Sequence, residues 1–361
     1  MTDNNFCVIM AGGIGSRFWP LSRTSRPKQF LDILNTGRTF LQETFERFRG
    51  ICPVENIYIV TNRDYKDLVI EQLPEINPAH VLLEPQRKNT APCIAYANAC
   101  IYKQNPNAKI VVAPADHLII NPDEFRKTIL NGLDFISNND ALLTIGIKPT
   151  RPETGYGYIQ VNLDEKKANG AYKVKTFTEK PNHEMAKVFL DSGEFFWNSG
   201  IFLWSIGSIQ KAFEDHLEEV DILFKEALPA FGTINENNAI ATIYSECKNI
   251  SIDYGVMEKA DNVYVICADF GWSDIGTWGS LFENTVKSNE DNVIKGDHVI
   301  TYNTNNCIVN VPNDKLVVLN GLSGYIVVES EKTLLICKKE DEQQLRQIVN
   351  DIKDQKGDDY I

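Results

Sequence analysis

Short apolar runs alternate with amphipathic segments through the first 150 residues. Runs rich in Val, Ile and Leu are typical of strands buried on both faces of a parallel sheet. The predicted strands lie at 6–10, 56–61, 80–85, 109–116 and 142–147, and the predicted helices begin near residues 39, 63, 90 and 122. This alternation predicts an α/β fold, with a Rossmann-like doubly wound and mainly parallel sheet that binds ligands at the carboxyl ends of its strands.

The pattern changes twice after residue 150. A mixed region precedes predicted helices across 207–247 and a strand at 263–270. From about residue 290, short strand-like runs recur at near-regular spacing and end in a predicted helix at 341–353. The sequence therefore predicts a large domain at 1–288 and a small all-β domain at 289–361.

Composition and charge narrow the class of partner. The chain has 361 residues, of which 43% are hydrophobic and 24% charged, and its formal net charge is -13. Such a chain can bury a core, and its acidity argues against nucleic-acid or anionic-membrane partners. The N-terminus lacks the basic start and long apolar core of a signal peptide, and no segment approaches the ~18 apolar residues of a membrane span. We expect a soluble, cytoplasmic protein.

The cysteines and histidines show no metal-binding spacing. Eight cysteines form no CxxC pair, and five histidines form no HxxxH pair. Zinc sites and a disulfide framework therefore lack their sequence signal, and reduced, buried thiols are the better interpretation.

A basic, glycine-rich segment follows the first predicted strand. Residues 10–30 contain no acidic residue but hold three glycines and four cations: Gly12, Gly13, Gly15, Arg17, Arg23, Arg26 and Lys28. The connection to the next helix is about thirty residues long, whereas such loops usually have ~2–6, and loops of this length are commonly functional. Glycines here allow backbone N–H groups to surround an anion, and Arg17 can grip two phosphate oxygens.

Two familiar phosphate-binding motifs do not fit this segment. A dinucleotide fingerprint from Gly13 needs a small residue where Phe18 stands, and Ser16 and Arg17 do not supply the GK[ST] of a Walker loop. What does fit is a resemblance. The segment "AGGIGSRFWPLSRTSRPKQF" resembles the signature of the sugar-phosphate nucleotidyltransferase family, and "WPLSR" with "PKQF" is similar to its mannose-1-phosphate guanylyltransferase members. The resemblance extends through most of residues 6–285.

The resemblance implies an activity and its small-molecule partners. The mannose-1-phosphate guanylyltransferase members of the family transfer GMP from GTP to α-D-mannose 1-phosphate and release GDP-mannose and pyrophosphate, with Mg²⁺ as cofactor. We also expect a homodimer. The tail from about residue 290 resembles the short left-handed β-helix of this family, whose use is either packing on the catalytic domain or dimer formation. Longer members add an isomerase domain with a histidine-rich site. Only His298 follows residue 217 here, so we expect the guanylyltransferase activity alone.

The expected phosphate and metal residues follow from the signature and from two aspartates. Arg17 and Lys28 are the candidate catalytic residues, since they would stabilise the leaving pyrophosphate. Asp116 comes just after a predicted strand, and Asp274 lies in a glycine-rich turn after another. Either aspartate alone would be interpreted as a turn residue, but the resemblance assigns both to the metal.

The resemblance divides the remaining candidates between the two substrates. The nucleotide side comprises Gly12, Gly13, Gly15, Glu84, Asn89 and Thr90. Thr90 is also predicted as a helix N-cap. The sugar-phosphate side comprises Gly155, Tyr156, Glu179, Lys180 and Asn198, with Asp253 and Glu258 as possible supports.

Two alternatives stay open at this point. One is the same chemistry with another base or sugar, such as a glucose-1-phosphate thymidylyl- or uridylyltransferase. The other is a catalytically silent regulatory homologue, which should have lost charged groups from the loop or the aspartate pair. Arg17, Lys28, Asp116 and Asp274 are all present, so the silent homologue ranks lower.

Overall fold

The structure is a computed structural model that describes residues 4–361, and the chain forms two compact units. The first comprises the residues up to Gly12, Thr44–Ala115 and Ile119–Trp272. The second comprises Gly13–Glu43, Asp116–Leu118 and Ser273–Ile361. The glycine-rich loop and the segment around Asp274 therefore group with the C-terminal residues, whereas the sequence pattern places the division near residue 288.

The elements of the N-terminal half match the predicted alternation. In chain order they are β1 (Asn5–Met10), α1 (Phe40–Arg49), β2 (Ile57–Asn62), α2 (Lys66–Gln72), β3 (Val81–Glu84), α3 (Thr90–Gln104), β4 (Lys109–Pro114), β5 (Leu118–Ile119), α4 (Pro122–Asn138), β6 (Leu142–Ile147), β7 (Gly157–Lys166), β8 (Ala171–Glu179) and α5 (His183–Ser192). Short 3-10 turns at Ser16–Phe18 and Lys28–Phe30 interrupt the long loop.

The C-terminal half continues the mixed region and then becomes strand-rich. Its elements are β9 (Phe195–Ser205), α6 (Ile206–His216), α7 (Glu218–Ala227), α8 (Glu236–Glu246), a π-helical turn at Asp253–Met257, β10 (Val263–Ala268), β11 (Trp272–Ser273), α9 (Trp278–Glu283), β12 (Val293–Lys295), β13 (Val299–Tyr302), β14 (Ile308–Asn310), β15 (Val317–Asn320), β16 (Tyr325–Ser330), β17 (Thr333–Lys338) and α10 (Leu345–Lys356).

A nine-stranded sheet forms the core of the first unit, in the order β3-β2-β1-β4-β9-β6-β10-β8-β7. β1 pairs in parallel with both β2 and β4, and β2 pairs in parallel with β3. β9 lies antiparallel between β4 and β6, so the sheet is mixed. The carboxyl ends of β1 to β4 share one edge, which places the start of the glycine loop and Glu84 at that edge.

The second unit contains the strand-rich segment. β12, β14 and β16 pair in parallel, β17 closes that sheet antiparallel, and β13 pairs in parallel with β15. Side chains of this segment fill a small core that includes Cys307, Val309 and Val327. The predicted strands are confirmed, and the predicted closing helix is observed as α10, three to four residues later than expected.

Within residues 4–361, the structure contains no helix whose length and apolar character would let it cross a membrane.

Candidate active site

The glycine turn after β1 is held by side chains of its own loop. Gly15 has φ +58°, and a Cβ there would lie 2.6 Å from the Cβ of Lys28. The Gln29 amide donates to the Gly13 carbonyl at 2.8 Å, and the buried Ser22 hydroxyl donates to the Gly15 carbonyl. The turn therefore requires glycine at position 15, and two polar side chains stabilise its backbone. Consecutive amides in such turns form concave anion sites.

Lys28 is almost fully buried, and its ammonium group contacts three oxygen atoms of the second unit. Its Nζ lies 2.9 Å from Asp116 Oδ2, with 5% of the side chain exposed. The same nitrogen donates to the carbonyls of Asp274 at 2.8 Å and Ile275 at 3.0 Å. An ammonium has three donors, so these three acceptors account for all of them. Lys28 thus contacts both candidate metal ligands, Asp116 through its carboxylate and Asp274 through its main-chain carbonyl. The expected contact of Lys28 with a phosphate stays a prediction.

The turn that carries Asp274 has an unusual backbone. Ile275 is buried and has φ +42°, a conformation that is strained for a β-branched residue. The Asp274 carboxylate accepts from Gly276 N at 2.8 Å, and a Cβ on Gly276 would lie 2.6 Å from Asp274 Oδ2. The strained turn directs two consecutive carbonyls to the Lys28 ammonium and fixes the position of the Asp274 side chain.

Asp116 has the properties of a reachable carboxylate. Burial alone would raise its pKa, but the Lys28 ammonium and then His117 outweigh that effect and hold the pKa of Asp116 below its ordinary value. About a third of its side chain, 31%, stays exposed. Magnesium is usually held by one or two carboxylates together with substrate oxygens, so an ionised Asp116 and a fixed Asp274 fit that donor set. Among residues 4–361, no three His, Cys, Asp or Glu side chains are grouped to hold a metal.

The three arginines of the loop differ in their surroundings. Arg17 lies in the 3-10 turn Ser16–Phe18, directly after the glycines. Arg23 is turned to the hairpin between β16 and β17, where it contacts Glu331 at 3.2 Å. Arg26 is exposed. Of the three, Arg17 stands closest in sequence to the anion-binding turn.

Glu84 ends β3 with only 6% of its surface exposed. It accepts a hydrogen bond from the Tyr244 hydroxyl at 2.9 Å, and a Cβ on Gly12 would lie 3.2 Å from its other oxygen. Burial raises the pKa of Glu84 to about 7, against the opposing effects of Tyr244 and Arg87. Glu84 and Gly12 are therefore neighbours in the first unit. With a pKa of about 7, the Glu84 carboxyl group changes charge near neutral pH.

The helix N-cap after Glu84 differs from the predicted one. Asn89, at φ +69°, is the N-cap of α3, and its side chain accepts from Thr90 N at 2.9 Å. Thr90 is the first helical residue, and its hydroxyl accepts from Ile252 N at 2.8 Å. The prediction of Thr90 as the cap was wrong by one residue, because Asn and Thr are both good caps and only tertiary contacts choose between them. Thr90 instead holds the segment that leads into Asp253.

Asn198, Asp253, Glu179 and Lys180 form a polar group in the first unit. Asn198 Nδ2 donates to Asp253 Oδ1 at 2.7 Å, and Lys180 pairs with Glu179. Burial raises the pKa of Asp253, and the nearby charge of Glu179 adds to the increase while the Asn198 hydrogen bond opposes it. Lys180 sits at φ +46° with 60% of its side chain exposed. Four predicted or supporting sugar-side residues are therefore brought together.

The glycine-tyrosine segment before β7 contacts this group through its main chain, since Lys180 N donates to the Tyr156 carbonyl at 3.2 Å. Gly155 is exposed, and its N–H donates to Glu153 at 3.0 Å. The Tyr156 ring packs edge-on against Trp197 and Trp272, at centroid distances of 5.2 and 5.1 Å. Gly157 leaves no room for a side chain beside the same group, since a Cβ there would lie 2.6 Å from Glu179 Oε2.

Comparisons with known proteins show the family of the chain. The family described as nucleotidyl transferase matches residues 6–291, and the family described as MannoseP isomerase/GMP-like beta-helix domain matches residues 297–352. The mannose-1-phosphate guanylyltransferase of Salmonella montevideo is 37% identical over 367 residues, which cover 98% of this chain and 75% of that protein. The enzyme of the same name from Escherichia coli K12 is 36% identical over 354 residues, covering 96% and 73%.

A solved structure is similar over nearly the whole chain. The mannose-1-phosphate geranyltransferase of Thermus thermophilus, as that crystal structure is described, has a TM-score of 0.86 and 30% identity, covering 97% of this chain and 99% of its own. The sequence families, the relatives and the fold therefore agree. This chain belongs to the nucleotidyl transferase family and carries the beta-helix domain that follows the transferase part.

Proposed function

We propose that this protein transfers GMP from GTP to α-D-mannose 1-phosphate and releases GDP-mannose and pyrophosphate. The observation that carries the proposal is the Lys28 ammonium, which joins the Asp116 carboxylate to the Asp274 turn beside a glycine turn suited to anions. Relatives 36–37% identical over nearly the whole chain are named mannose-1-phosphate guanylyltransferases, which supports the choice of base and sugar.

The proposed reaction forms no covalent bond between the protein and its substrates. An oxygen of the sugar phosphate attacks the α-phosphorus of GTP, a new P–O bond forms there, and the bond from that phosphorus to the bridging oxygen of the β-phosphate breaks. The bridging oxygen leaves with pyrophosphate and carries the electron pair. Because the nucleophile is already anionic, no general base is needed. Catalysis then depends on alignment of the substrates and on stabilisation of negative charge.

The residues of the second unit suit the triphosphate. The glycine turn at Gly13 and Gly15 offers main-chain amides, and Arg17 adds a planar cation to the phosphates. Enzymes of this family generally depend on a metal ion, and we propose Mg²⁺ held by Asp116 and Asp274. When bound there, it would neutralise phosphate oxygens as charge moves to pyrophosphate. Lys28 keeps Asp116 ionised and both aspartates in place.

Glu84 supports guanine as the base. Guanine presents two adjacent donors, N1–H and the N2 amino group, and a carboxylate can accept both as a bidentate pair. Adenine has an acceptor where guanine has N1–H, so it would place a lone pair against the carboxylate. Glu84 is held by Tyr244 and lies beside Gly12 at the carboxyl edge of the sheet. An ionised Glu84 therefore favours GTP over ATP in this proposal.

The group around Asn198 and Asp253 suits the sugar phosphate. Carboxylate and amide oxygens accept hydrogen bonds from sugar hydroxyls, and the exposed Lys180 ammonium can pair with the phosphate of mannose 1-phosphate. Glu179 can serve both roles in this proposal: its carboxylate can accept from a sugar hydroxyl, and it contacts the Lys180 ammonium that pairs with the phosphate. It also lies close to Gly157. Gly155 and Tyr156 remain predicted sugar-side residues, with Tyr156 acting through its packing.

A substrate panel tests the proposal. Purified protein with Mg²⁺ is given mannose 1-phosphate and, in separate reactions, GTP, ATP, CTP, UTP or dTTP, and pyrophosphate release is measured; glucose 1-phosphate is then substituted. Release with GTP and mannose 1-phosphate well above every other pair is expected. A preference for another pair would overturn the base or sugar assignment, and silence with all pairs by protein that binds nucleotide would favour a regulatory homologue.

Two sequence expectations stay predictions. One is a homodimer, which light scattering of the purified protein measures. The other is a cytoplasmic location.

A further inference from the structure

We infer that Arg23 is a positioning residue that anchors the glycine loop to the β16–β17 hairpin and so determines how firmly the loop holds the nucleotide triphosphate. The inference rests on the proposed function and adds a role for the strand-rich segment. In the sequence alone, Arg23 is only one of four cations in the loop.

The Arg23 guanidinium is committed to the hairpin and to the segment after α10. Its Nη2 donates to the Ser330 carbonyl and to the Thr333 hydroxyl, both at 3.3 Å. Its Nη1 donates to the Asp359 carbonyl at 3.3 Å and lies 3.2 Å from Glu331 Oε2. Only 9% of the Arg23 side chain is exposed, whereas 70% of the Glu331 side chain is. An exposed carboxylate contributes little to an ion pair, so the carbonyls and the Thr333 hydroxyl are the main partners.

A second contact beside Arg23 connects the same surfaces. The Trp19 indole N–H donates to the Tyr360 carbonyl at 2.7 Å. Phe18 and Trp19 pack in one apolar cluster with Ile326, Val328 and other core residues of the strand-rich segment. The loop is therefore attached to this segment on both sides of Ser22 and by apolar as well as polar contacts.

The anchor connects to the anion-binding turn in two short steps. Arg23 and Arg26 exchange main-chain hydrogen bonds at 3.2 and 3.0 Å, which closes a tight turn. Ser22, the residue before Arg23, donates its hydroxyl to the Gly15 carbonyl. A displacement of Arg23 would therefore move the clamp on Gly15, whose amide belongs to the turn that receives the phosphates in our proposal.

The test compares two arginines of one loop. Arg23→Ala removes the anchor, whereas Arg26→Ala removes an exposed cation of equal charge. Arg23→Ala is expected to raise KM for GTP about tenfold, as loss of hydrogen bonds from a charged donor allows. KM for mannose 1-phosphate should stay within about twofold, and Arg26→Ala should leave both KM values within about twofold of the parent. A loss of charge alone would affect both variants alike.

Chemical rescue separates positioning from general destabilisation. Millimolar guanidinium should restore part of the GTP affinity of Arg23→Ala, while the same concentration of methylammonium should not, because only guanidinium reproduces the planar fork. If Arg23→Ala does not fold, Thr333→Val removes one acceptor in the hairpin and should raise KM for GTP in the same direction by a smaller factor. Thr333→Ser should restore it.

Several outcomes would overturn the inference. They are equal KM values for GTP in Arg23→Ala and Arg26→Ala, an increase of KM for mannose 1-phosphate as large as that for GTP, and a folded Arg23→Ala that guanidinium does not improve. Failure of the proposed function is separate, since the unaltered protein would then release no pyrophosphate from GTP and mannose 1-phosphate.

Discussion

The Lys28 ammonium lies 2.9 Å from the Asp116 carboxylate and is simultaneously hydrogen-bonded to the main chain of the Asp274 turn. A nearly buried cation therefore stands between the two candidate metal ligands. It has two effects: it holds the pKa of Asp116 low, and it fixes the strained backbone at Ile275 through that residue's carbonyl. Loss of Lys28 should consequently impair the metal site as well as the stability of the unit.

Lys28→Met tests this role, because Met keeps the aliphatic length of the side chain and removes the charge. We expect kcat to fall about a hundredfold, which corresponds to about 3 kcal/mol of barrier, as for loss of one preorganised electrostatic group. The Mg²⁺ concentration for half-maximal activity should rise, since Asp116 loses its partner. Steady-state kinetics across a Mg²⁺ titration measure both. A variant with parental kcat and an unchanged Mg²⁺ requirement would show that Lys28 is only structural.

Glu84→Gln tests the pH-dependent carboxyl group of the nucleotide side. The pKa of Glu84 is raised from 4.5 to about 7, so the folded state binds a proton more tightly than the unfolded state does. Its contribution to stability is complete below pH ~4.5 and is lost as pH rises through ~7, by about 3 kcal/mol in all. Gln can still accept from Tyr244 but does not titrate. The variant should match the parent near pH 4.5 and exceed it in free energy of unfolding at pH 8; urea unfolding at the two pH values measures this.

Glu84→Gln should weaken GTP binding at pH 8, the pH at which it is expected to stabilise the fold. The ionised form of Glu84 accepts the guanine donors in our proposal, so KM for GTP of the parent should fall as pH rises through about 7. Glu84→Gln should remove this dependence and raise KM for GTP at pH 8 about tenfold or more. KM for mannose 1-phosphate serves as the internal control. If the parent and the variant share one pH profile for GTP, Glu84 does not contact the base.

Gly15→Ala separates a steric requirement from backbone strain. Gly15 and Gly37 both have positive φ, but of the two only Gly15 would bring a Cβ within 4 Å of another atom, namely Lys28 Cβ at 2.6 Å. Both substitutions should incur the strain of a left-handed alanine, about 1 kcal/mol. Gly15→Ala should lose distinctly more stability and also GTP affinity. Urea unfolding of the two variants measures the difference, and equal losses would contradict the close packing of the turn on Lys28.

Thr90→Val tests a connection between the two substrate sides within the first unit. The Thr90 hydroxyl accepts a hydrogen bond from the main-chain N–H of Ile252, and Ile252 directly precedes Asp253. Its removal leaves that amide unpaired and should displace Asp253, so KM for mannose 1-phosphate should rise several-fold. Thr90→Ser keeps the acceptor and should behave as the parent. An increase confined to KM for GTP would instead support the direct nucleotide contact that the sequence predicts for Thr90.

The strands and helices of the first 150 residues could be predicted because buried parallel strands are continuous apolar runs. Other features depend on distant contacts that leave no local signal. Ser22 and Gln29 hold the glycine turn, yet each looks like an ordinary polar loop residue. Tyr156 meets Trp272 from more than a hundred positions away. The grouping of the loop with the C-terminal residues likewise arises from packing of Phe18 and Trp19, which periodicity cannot show.

Product analysis by phosphorus NMR tests the central claim most directly. Purified protein, GTP, mannose 1-phosphate and Mg²⁺ are incubated beside a matched reaction with Asp116→Asn, which keeps the shape of the side chain and removes its charge. We expect the paired diphosphate resonances of GDP-mannose and an equal amount of pyrophosphate with the parent, and at least a hundredfold slower formation with Asp116→Asn. Folded parent protein that forms neither product, or an Asp116→Asn variant that forms both at the parental rate, would contradict the proposal.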